Sequence, residues 1–276
     1  MMKLDLHCHT TSSDGALTPN DIVQRARERG IDVLSITDHD TIDAYGEIDM
    51  QQLGGLRLVP GVELSTRWRG HTIHIVGLDI DLASDSLADA VSLQQRARAE
   101  RAVEIGRRLE RAGIADALDG ARDLAGTSAI GRPHFARFLV ESGRVKSITV
   151  AFKKYLGPGK AGDVKHFWPP LEIVTGWITA ADGIAVLAHP GKYGMTNTKL
   201  AALVDEFRAY GGRAIEVLCG QQPADVTRKL ARLCVQRDML ASCGSDFHAP
   251  GQPWSELGAF GALPTECRTI REALRL

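Results

Sequence analysis

The sequence has few cysteines, no strong excess of either charge and no long apolar run. Its five cysteines are scattered and never form a CxxC pair, which argues against a disulfide framework and a thiolate zinc site and indicates reduced thiols packed in the core. Lys and Arg number 33 against 34 Asp and Glu, and a net charge of −1 excludes a general basic surface for gripping long nucleic acid. An anionic substrate must therefore be held by a local site.

Segments that could enter a membrane are missing too. The longest apolar stretches are short, as around residues 183–188, and the first residues run directly into Lys3 and Asp5. We therefore expect a cytoplasmic protein without membrane contact. A serine hydrolase is disfavoured, because no GxSxG motif occurs. The sequence leaves the oligomeric state open.

What the sequence does contain is an alternation of strand-like and helical segments. Short β-rich runs alternate with amphipathic runs from residue 3 to residue 63, and the alternation returns after residue 170. Between about residues 85 and 170 the pattern becomes helical and Arg-rich. We therefore predict an α/β fold in which residues 1–84 and 171–276 form one domain and residues 85–170 form an inserted helical cap.

Polar residues stand at the carboxyl ends of the predicted strands. In barrels and open α/β sheets this edge binds ligands, so residues far apart in the sequence are expected to meet there. They are His7 and His9 after the first strand, Asp38 and His39 after the second, Glu63 in the third, and then His189, Asp246 and His248.

The histidines favour a metal centre. Seven of the nine lie at or near strand ends or turns, and the other two, His71 and His166, are interpreted as ordinary polar residues. In the run 7–9, two imidazoles two positions apart on an extended chain point to the same side and can bind one ion. The run 246–248 repeats this geometry with a carboxylate, a mixed set that suits Mn, Zn or Fe better than Mg alone. Asp14 is either a further ligand or only a turn cap.

The number of candidate ligands implies more than one ion. A catalytic ion takes about three protein ligands, so nine or ten candidates correspond to two or three ions. Three divalent ions carry about six positive charges, from which Asp14, Glu63, Asp246 and a bridging hydroxide remove about four. The remaining charge of about +2 complements the dianion of a phosphate monoester.

Together these residues resemble the signature of the PHP (polymerase and histidinol phosphatase) family. The resemblance implies a distorted (β/α)7 barrel with an inserted helical cap and three divalent metal ions, with Mn²⁺ expected and Fe, Zn, Co or Mg as alternatives. The matching positions are His7-x-His9 with Asp14, Asp38-His39-Asp40, Glu63, His74, His134, His189-Pro190 and Asp246-x-His248.

The resemblance also implies how these side chains divide among the ions. Two ions that share Glu63 would share a hydroxide that attacks phosphorus in line. Asp38 and Asp40 are expected to fix the tautomer of the His39 imidazole. The implied ligands are His7, His9, Glu63 and Asp246 for the first ion, Glu63, His74 and His134 for the second, and Asp14, His39 and His248 for the third.

Within the family, the sequence resembles the stand-alone phosphatases that remove the 3′-phosphate of nucleoside 3′,5′-bisphosphates, some of which also trim short RNA from the 5′ end. The motifs Arg98-x-x-Arg101-x-x-x-Ile105 and Lys154–Lys160 are similar to that subgroup's insertion. Adenosine 3′,5′-bisphosphate would give AMP and phosphate, and no long duplex nucleic acid is expected as a partner. The alternatives are a histidinol-phosphate or general phosphomonoesterase, an oligonucleotide exonuclease, and a non-catalytic regulatory module that binds metal.

The cap is expected to contribute to substrate binding. A second substrate phosphate needs a cation outside the metal cluster, for which Arg101 and Lys160 are the candidates. Ser12, in the loop after the first strand, is a further candidate contact. Most arginines in the row over residues 96–108 are interpreted as the solvated face of a helix.

Arg132 and His189 are the expected catalytic residues. Arg132, two residues before His134, would either bind phosphate through two hydrogen bonds or form an ordinary salt bridge. His189 would protonate the departing ribose 3′-oxygen or hold a phosphate, or else support a carboxylate that binds metal.

Overall fold

The computed structural model describes residues 2–165 and 167–275, so His166 lies outside the described residues. The chain divides into two compact units. The first combines Met1–Val91 with Pro169–Leu276, and the second is Ser92–Trp168. The boundary near residue 91 falls within one long helix.

Short strands make up the framework of the first unit. The long β4 and β5 form a hairpin, whereas β1, β2 and β3 are two residues each. The strands are β1 Leu4–Asp5, β2 Val33–Leu34, β3 Arg57–Leu58, β4 Gly61–Trp68, β5 His71–Leu78, β6 Ile184–Leu187, β7 Ala214–Cys219 and β8 Leu240–Gly244.

Helices connect most of the strands. The first begins where the sequence signals a start, since Thr18 caps it by accepting a hydrogen bond from the Asp21 backbone N–H at 3.2 Å. The helices of this unit are α1 Pro19–Glu28, α2 Ala44–Glu47, the start of α3 Asp85–Arg111, then α7 Leu171–Ala180, α8 Asn197–Ala209 and α9 Ala224–Gln236.

The strands close into a ring. Strands β1, β2 and β3 are parallel, β5 is antiparallel to both β4 and β6, and β6, β7 and β8 are parallel. Backbone hydrogen bonds join the two sheets at both edges: Leu6 N to Cys243 O at 3.1 Å, and Glu63 N to Asp38 O at 3.1 Å. The expected distorted α/β barrel is therefore confirmed, and antiparallel β5 is one source of the distortion.

Two apolar layers hold the barrel together. Alternate residues of a strand face opposite sides, so Ile75 and Val76 belong to different clusters. One cluster packs the outer face of the sheet against α7, α8 and α9. The other draws residues from around the ring and therefore fills its interior: Leu6, Val33, Val76, Val186, Ala214 and Leu240, with Ile270 and Leu274 from the C-terminal segment.

The second unit is helical and has its own core. It contains most of α3, then α4 Ala117–Ala125, α5 Arg132–Glu141, α6 Ile148–Ala151 and a π-helix over Phe152–Leu156. Ile105, Leu109, Phe135 and Leu139 are buried in its centre. Across residues 2–165 and 167–275, no helix is long and apolar enough to cross a membrane.

Candidate metal centre

The strand ends bring distant histidines into one cluster. His7 and His9 follow β1, and their ring centroids lie 5.2 Å apart. Cys8 between them is buried, and its Sγ donates to the Ser35 carbonyl at 3.4 Å, so the alternation expected of an extended chain is observed. His9 stacks on His248 with 4.2 Å between ring centroids, although the two residues are 239 positions apart in the sequence.

Glu63 is the centre of this cluster. It lies in β4 and is fully buried, and each carboxylate oxygen faces more than one imidazole. Oε1 lies 2.9 Å from His189 Nε2 and 3.0 Å from His74 Nδ1. Oε2 lies 3.0 Å from His39 Nδ1 and 3.3 Å from Nε2 of both His7 and His9.

Two further carboxylates lie at the edges of the cluster. Asp14 Oδ1 is 3.3 Å from His248 Nε2, and its Oδ2 is 3.8 Å from His39 Nε2. Asp246 Oδ1 is 3.3 Å from His9 Nε2 and 3.5 Å from His7 Nε2. Asp14 therefore lies among imidazoles, in the position expected of a further ligand.

The side chains form four overlapping groups, and within each group the potential ligand atoms lie no more than 4.8 Å apart. Glu63 belongs to two of them, and His7, His9 and His39 to two each. Such sharing is what a multinuclear centre requires. The groups are His9, Asp14, His39 and His248; His7, His9 and Asp246; His7, Glu63 and His189; and His39, Glu63 and His74.

Several of these atoms are buried without a hydrogen bond. In the described structure they include Nε2 of His7, both ring nitrogens of His9, Oδ1 of Asp14 and Oε2 of Glu63. Each buried polar atom without a hydrogen bond destabilises the fold by about 1–3 kcal/mol. Side chains from several separate strands nevertheless place such atoms together here. Divalent cations would satisfy these atoms together, and imidazole with carboxylate is a suitable donor set. The residues therefore fit divalent metal ions.

The electrostatics suit metal binding as well. Burial and the neighbouring His248 lower the pKa of His9 to about 3, and burial lowers the pKa of His74 to about 4. Both rings are therefore neutral near pH 7 and have a lone pair for a metal. Burial raises the pKa of Glu63, but the surrounding imidazoles, His39 first, lower it overall to well below its usual value, so Glu63 is ionised.

Two other aspartates accept hydrogen bonds from the segments that carry the potential ligands. Asp38 accepts hydrogen bonds from Thr10 N at 2.7 Å and from Ser13 Oγ at 2.5 Å, and so fixes the loop that carries Asp14. Asp40 accepts from Ser65 N at 2.7 Å. Their role in fixing the tautomer of His39 stays a prediction.

Two residues of this site were missed from the sequence. Glu216 lies in β7, and its oxygens contact His7 Nδ1 at 3.0 Å and the His189 backbone N–H at 2.5 Å. Lys192, in the 3-10 helix Pro190–Tyr193, forms an ion pair with Asp246. A charged residue in the apolar strand 214–219 was the available signal for Glu216.

Ser12 and His189 both lie after the carboxyl ends of strands in the first unit. Ser12 follows β1 in a turn, and its Oγ is buried without a hydrogen bond in the described structure. His189 follows β6 with φ of 29°, an unfavourable backbone conformation for a residue with a side chain. Such strain is common where a side chain must be aimed at a functional site.

The remaining predicted residues lie in the second unit. His134 is buried on α5, and its Nδ1 accepts a hydrogen bond from Gly131 N at 2.9 Å. All four potential metal-binding groups come from the first unit. Arg132 is largely enclosed: Nη1 donates to the Leu156 carbonyl at 3.4 Å, and burial, with a further contribution from Arg98, lowers its pKa.

The Arg-rich row of α3 is only partly solvated. Arg98 and Arg101 are buried and lie over the ring of Trp168, and Arg101 Nε donates to the Val164 carbonyl at 2.7 Å. The solvated interpretation of most of the row does not extend to these two arginines, because they contact Val164 and Trp168. Lys160 is exposed in the segment that follows the π-helix.

A barrel with buried histidines and carboxylates around one glutamate has the features of a metal-binding enzyme site. The model of the PHP domain family matches residues 5–126. A 3′,5′-nucleoside bisphosphate phosphatase from Chromobacterium violaceum is 44% identical over 98% of this chain and 95% of its own length. The 5′-3′ exoribonuclease Rnm from Escherichia coli is 47% identical over 94% of this chain and 89% of its own length.

Two solved structures are similar to this chain over nearly its whole length. One from Chromobacterium violaceum, described as an amidohydrolase with bound sulfate and no metal, has a TM-score of 0.91 and 43% identity over 98% of this chain and 95% of that chain. Another from Bifidobacterium adolescentis, provisionally described as a metal-dependent phosphoesterase, has a TM-score of 0.81 and 25% identity over the same shares. This chain belongs to the PHP family. It is a hydrolase with the fold of metal-dependent phosphoesterases, which supports the use of divalent metal ions.

Proposed function

We propose that this chain hydrolyses the 3′-phosphate of nucleoside 3′,5′-bisphosphates, converting adenosine 3′,5′-bisphosphate to AMP and phosphate. The observation that carries the proposal is the position of Glu63, whose two oxygens face five imidazoles in the four overlapping groups. The substrate class follows from the 44% identity to a 3′,5′-nucleoside bisphosphate phosphatase over nearly the whole chain.

The metal centre that we propose contains three divalent ions, with Mn²⁺ expected. Asp14, His39 and His248 would hold one ion, and His7, His9, Asp246 and Glu63 another. Glu63 and His74 would hold the third, and the short distance between His189 Nε2 and Glu63 Oε1 supports His189 as the remaining ligand. When bound, these ions would supply Lewis-acid stabilisation of the phosphoryl oxygens and a more acidic water.

His134 is better suited to bind substrate than metal. Its Nδ1 accepts the Gly131 N–H, so a neutral ring carries its proton on Nε2. A protonated nitrogen has no lone pair for a metal, but it can donate to a phosphoryl oxygen. We therefore assign a hydrogen-bond donor to the position that the family resemblance gives to a ligand.

His189 accordingly changes role in this proposal. Its Nε2 shares one Glu63 oxygen with His74 Nδ1, which favours holding metal over the expected proton transfer to the ribose 3′-oxygen. No protein nucleophile is needed, because phosphoryl transfer depends mainly on positioning and charge stabilisation.

In the second unit, we propose Arg132 and Lys160 as substrate contacts. Arg132 forms no ion pair within 4 Å among the described residues and uses Nη1 for the Leu156 carbonyl, which leaves its other guanidinium nitrogens as donors for phosphate. Arg101 is a weaker candidate, because its hydrogen bond to Val164 and its packing on Trp168 stabilise the second unit.

Replacing Lys160 by Ala should lower kcat/KM for a bisphosphate far more than for a simple monophosphate. Lys146→Ala, another exposed position of the unit, is the control.

The second candidate function is 5′-3′ exonuclease activity on short RNA, which the 47% identity to Rnm favours. The decisive experiment uses EDTA-treated protein with each divalent ion added back. Phosphate release is measured from adenosine 3′,5′-bisphosphate, AMP and histidinol phosphate, and nucleotide release from a short 5′-phosphorylated RNA. We expect the highest kcat/KM on the bisphosphate. No phosphate release from the bisphosphate with any ion would refute the proposal, and a preference for RNA would reverse the order of the two functions.

A further inference from the structure

Glu216 makes two hydrogen bonds that both need an acceptor. It lies in the middle of β7 and is 2% exposed, among apolar neighbours. Its Oε1 is 3.0 Å from His7 Nδ1, and its Oε2 accepts the His189 backbone N–H at 2.5 Å. A single carboxylate thus contacts members of the cluster that come from β1 and from the end of β6.

The contact with His7 decides which ring nitrogen faces the cluster. Because a carboxylate only accepts, His7 Nδ1 must carry a proton. After His7 loses its second proton, the lone pair is on Nε2. That atom lies 3.3 Å from Glu63 Oε2 and 3.5 Å from Asp246 Oδ1, and it has no hydrogen bond in the described structure. Glu216 therefore selects the tautomer that can bind a metal through Nε2.

The contact with His189 fixes the backbone at a strained residue. His189 has φ of 29° and ψ of 52°, outside the regions that residues with side chains prefer. Its N–H points to Glu216 Oε2, and its ring then reaches Glu63 Oε1 at 2.9 Å. Without Glu216 as acceptor, this buried N–H would have no hydrogen bond, and the strained backbone conformation of His189 would lose its support.

We propose that Glu216 is a positioning residue that sets the tautomer of His7 and the backbone of His189 together. The inference rests on the proposed function, because it takes the cluster to be a metal centre. A carboxylate is required, since both partners are donors. A glutamine has one acceptor and one donor, so it can satisfy either the His189 N–H or the His7 Nδ1–H but not both.

The test compares Glu216→Gln with the wild type. We expect divalent metal to bind about 10- to 100-fold more weakly, as is typical when a partner of a ligating histidine is lost. Affinity is measured by titrating Zn²⁺ and Mn²⁺ into the metal-free proteins against a competing chelator. Glu206→Gln is the matched control, since Glu206 accepts from Trp68 Nε1 at 2.6 Å and pairs with Arg69 outside the cluster. Unchanged affinity in folded Glu216→Gln would overturn the proposal.

A second measurement does not depend on the variant folding. In zinc-loaded wild-type protein with ¹⁵N-labelled histidine, NMR should show His7 with its proton on Nδ1. A proton on Nε2 would contradict the proposal whatever the variant does. Neither measurement uses a substrate, so wild-type protein that binds metal as expected but does not cleave the bisphosphate would contradict only the proposed function.

Discussion

Lys192 pairs with Asp246 through Oδ2, while Oδ1 of the same carboxylate faces His7 and His9. The ammonium therefore orients a carboxylate at the edge of the cluster and leaves one oxygen for a metal. The Lys192 side chain is 55% exposed, so this positive charge is also open to solvent and to an anionic substrate.

Replacing Lys192 by Gln should lower kcat/KM for the bisphosphate about tenfold or more, because a fixed positive charge beside the phosphoryl group is lost. The free energy of unfolding should change by less than about 1 kcal/mol, as for other exposed ion pairs. Steady-state kinetics and urea denaturation measure the two effects. Lys229→Gln on α9 should leave both unchanged. A Lys192→Gln enzyme with normal kcat/KM would exclude this role.

His189 and His134 can be separated by metal content. His189→Ala should lower the number of bound ions per chain, because its Nε2 lies on Glu63. His134→Ala should keep the metal but lose activity, and His134→Gln should restore part of it, since glutamine also offers an N–H donor. Elemental analysis measures the metal bound per chain and steady-state kinetics the activity, both on the same preparations of each variant. If His134→Ala loses metal and His189→Ala does not, our assignment of the two residues is reversed.

Glu63 should couple metal binding to stability. An ion present at a free concentration 100 times its dissociation constant raises the free energy of unfolding by about 2.7 kcal/mol. We expect Mn²⁺ to raise the melting temperature of the EDTA-treated wild type, and Glu63→Gln to lose most of this increase, because the shared negative charge is removed. Calorimetry with and without Mn²⁺ measures the shift. An equal shift in wild type and Glu63→Gln would show that the ions bind elsewhere.

The sequence pattern predicted the α/β alternation, and the resemblance to the PHP family implied the barrel. Polar residues at the predicted strand ends, in His7-x-His9, Glu63 and Asp246-x-His248, indicated most of the cluster. The sequence did not predict Glu216 or Lys192. Their roles depend on which strand ends are neighbours across the ring, and no spacing along the chain encodes that. The sequence pattern also predicts a single helix over residues 42–53, which the structure does not form. Ile48 is extended there and separates α2 from a 3-10 helix at Met50–Leu53.

Gly244 provides the space in which His7 and Glu216 meet. A Cβ built on Gly244 would lie 2.3 Å from His7 Cβ, 2.8 Å from His7 N and 3.0 Å from Glu216 Oε1. The first two of these positions are fixed by the backbone just after β1, so the chain at His7 and β8 would have to move apart. Gly244→Ala should therefore destabilise the fold by about 1–3 kcal/mol, as expected for overpacking, and weaken metal binding as well.

The control for this change is Gly176→Ala. Gly176 lies in α7, and a Cβ there would meet no atom within 4 Å. Alanine is the better helix former by about 0.8–1.0 kcal/mol, so this variant should be neutral or more stable, with unchanged metal affinity. Urea denaturation and chelator competition on both variants give the comparison. If Gly244→Ala were as stable as Gly176→Ala and bound metal normally, the close approach of β8 to His7 would not be needed to form the site.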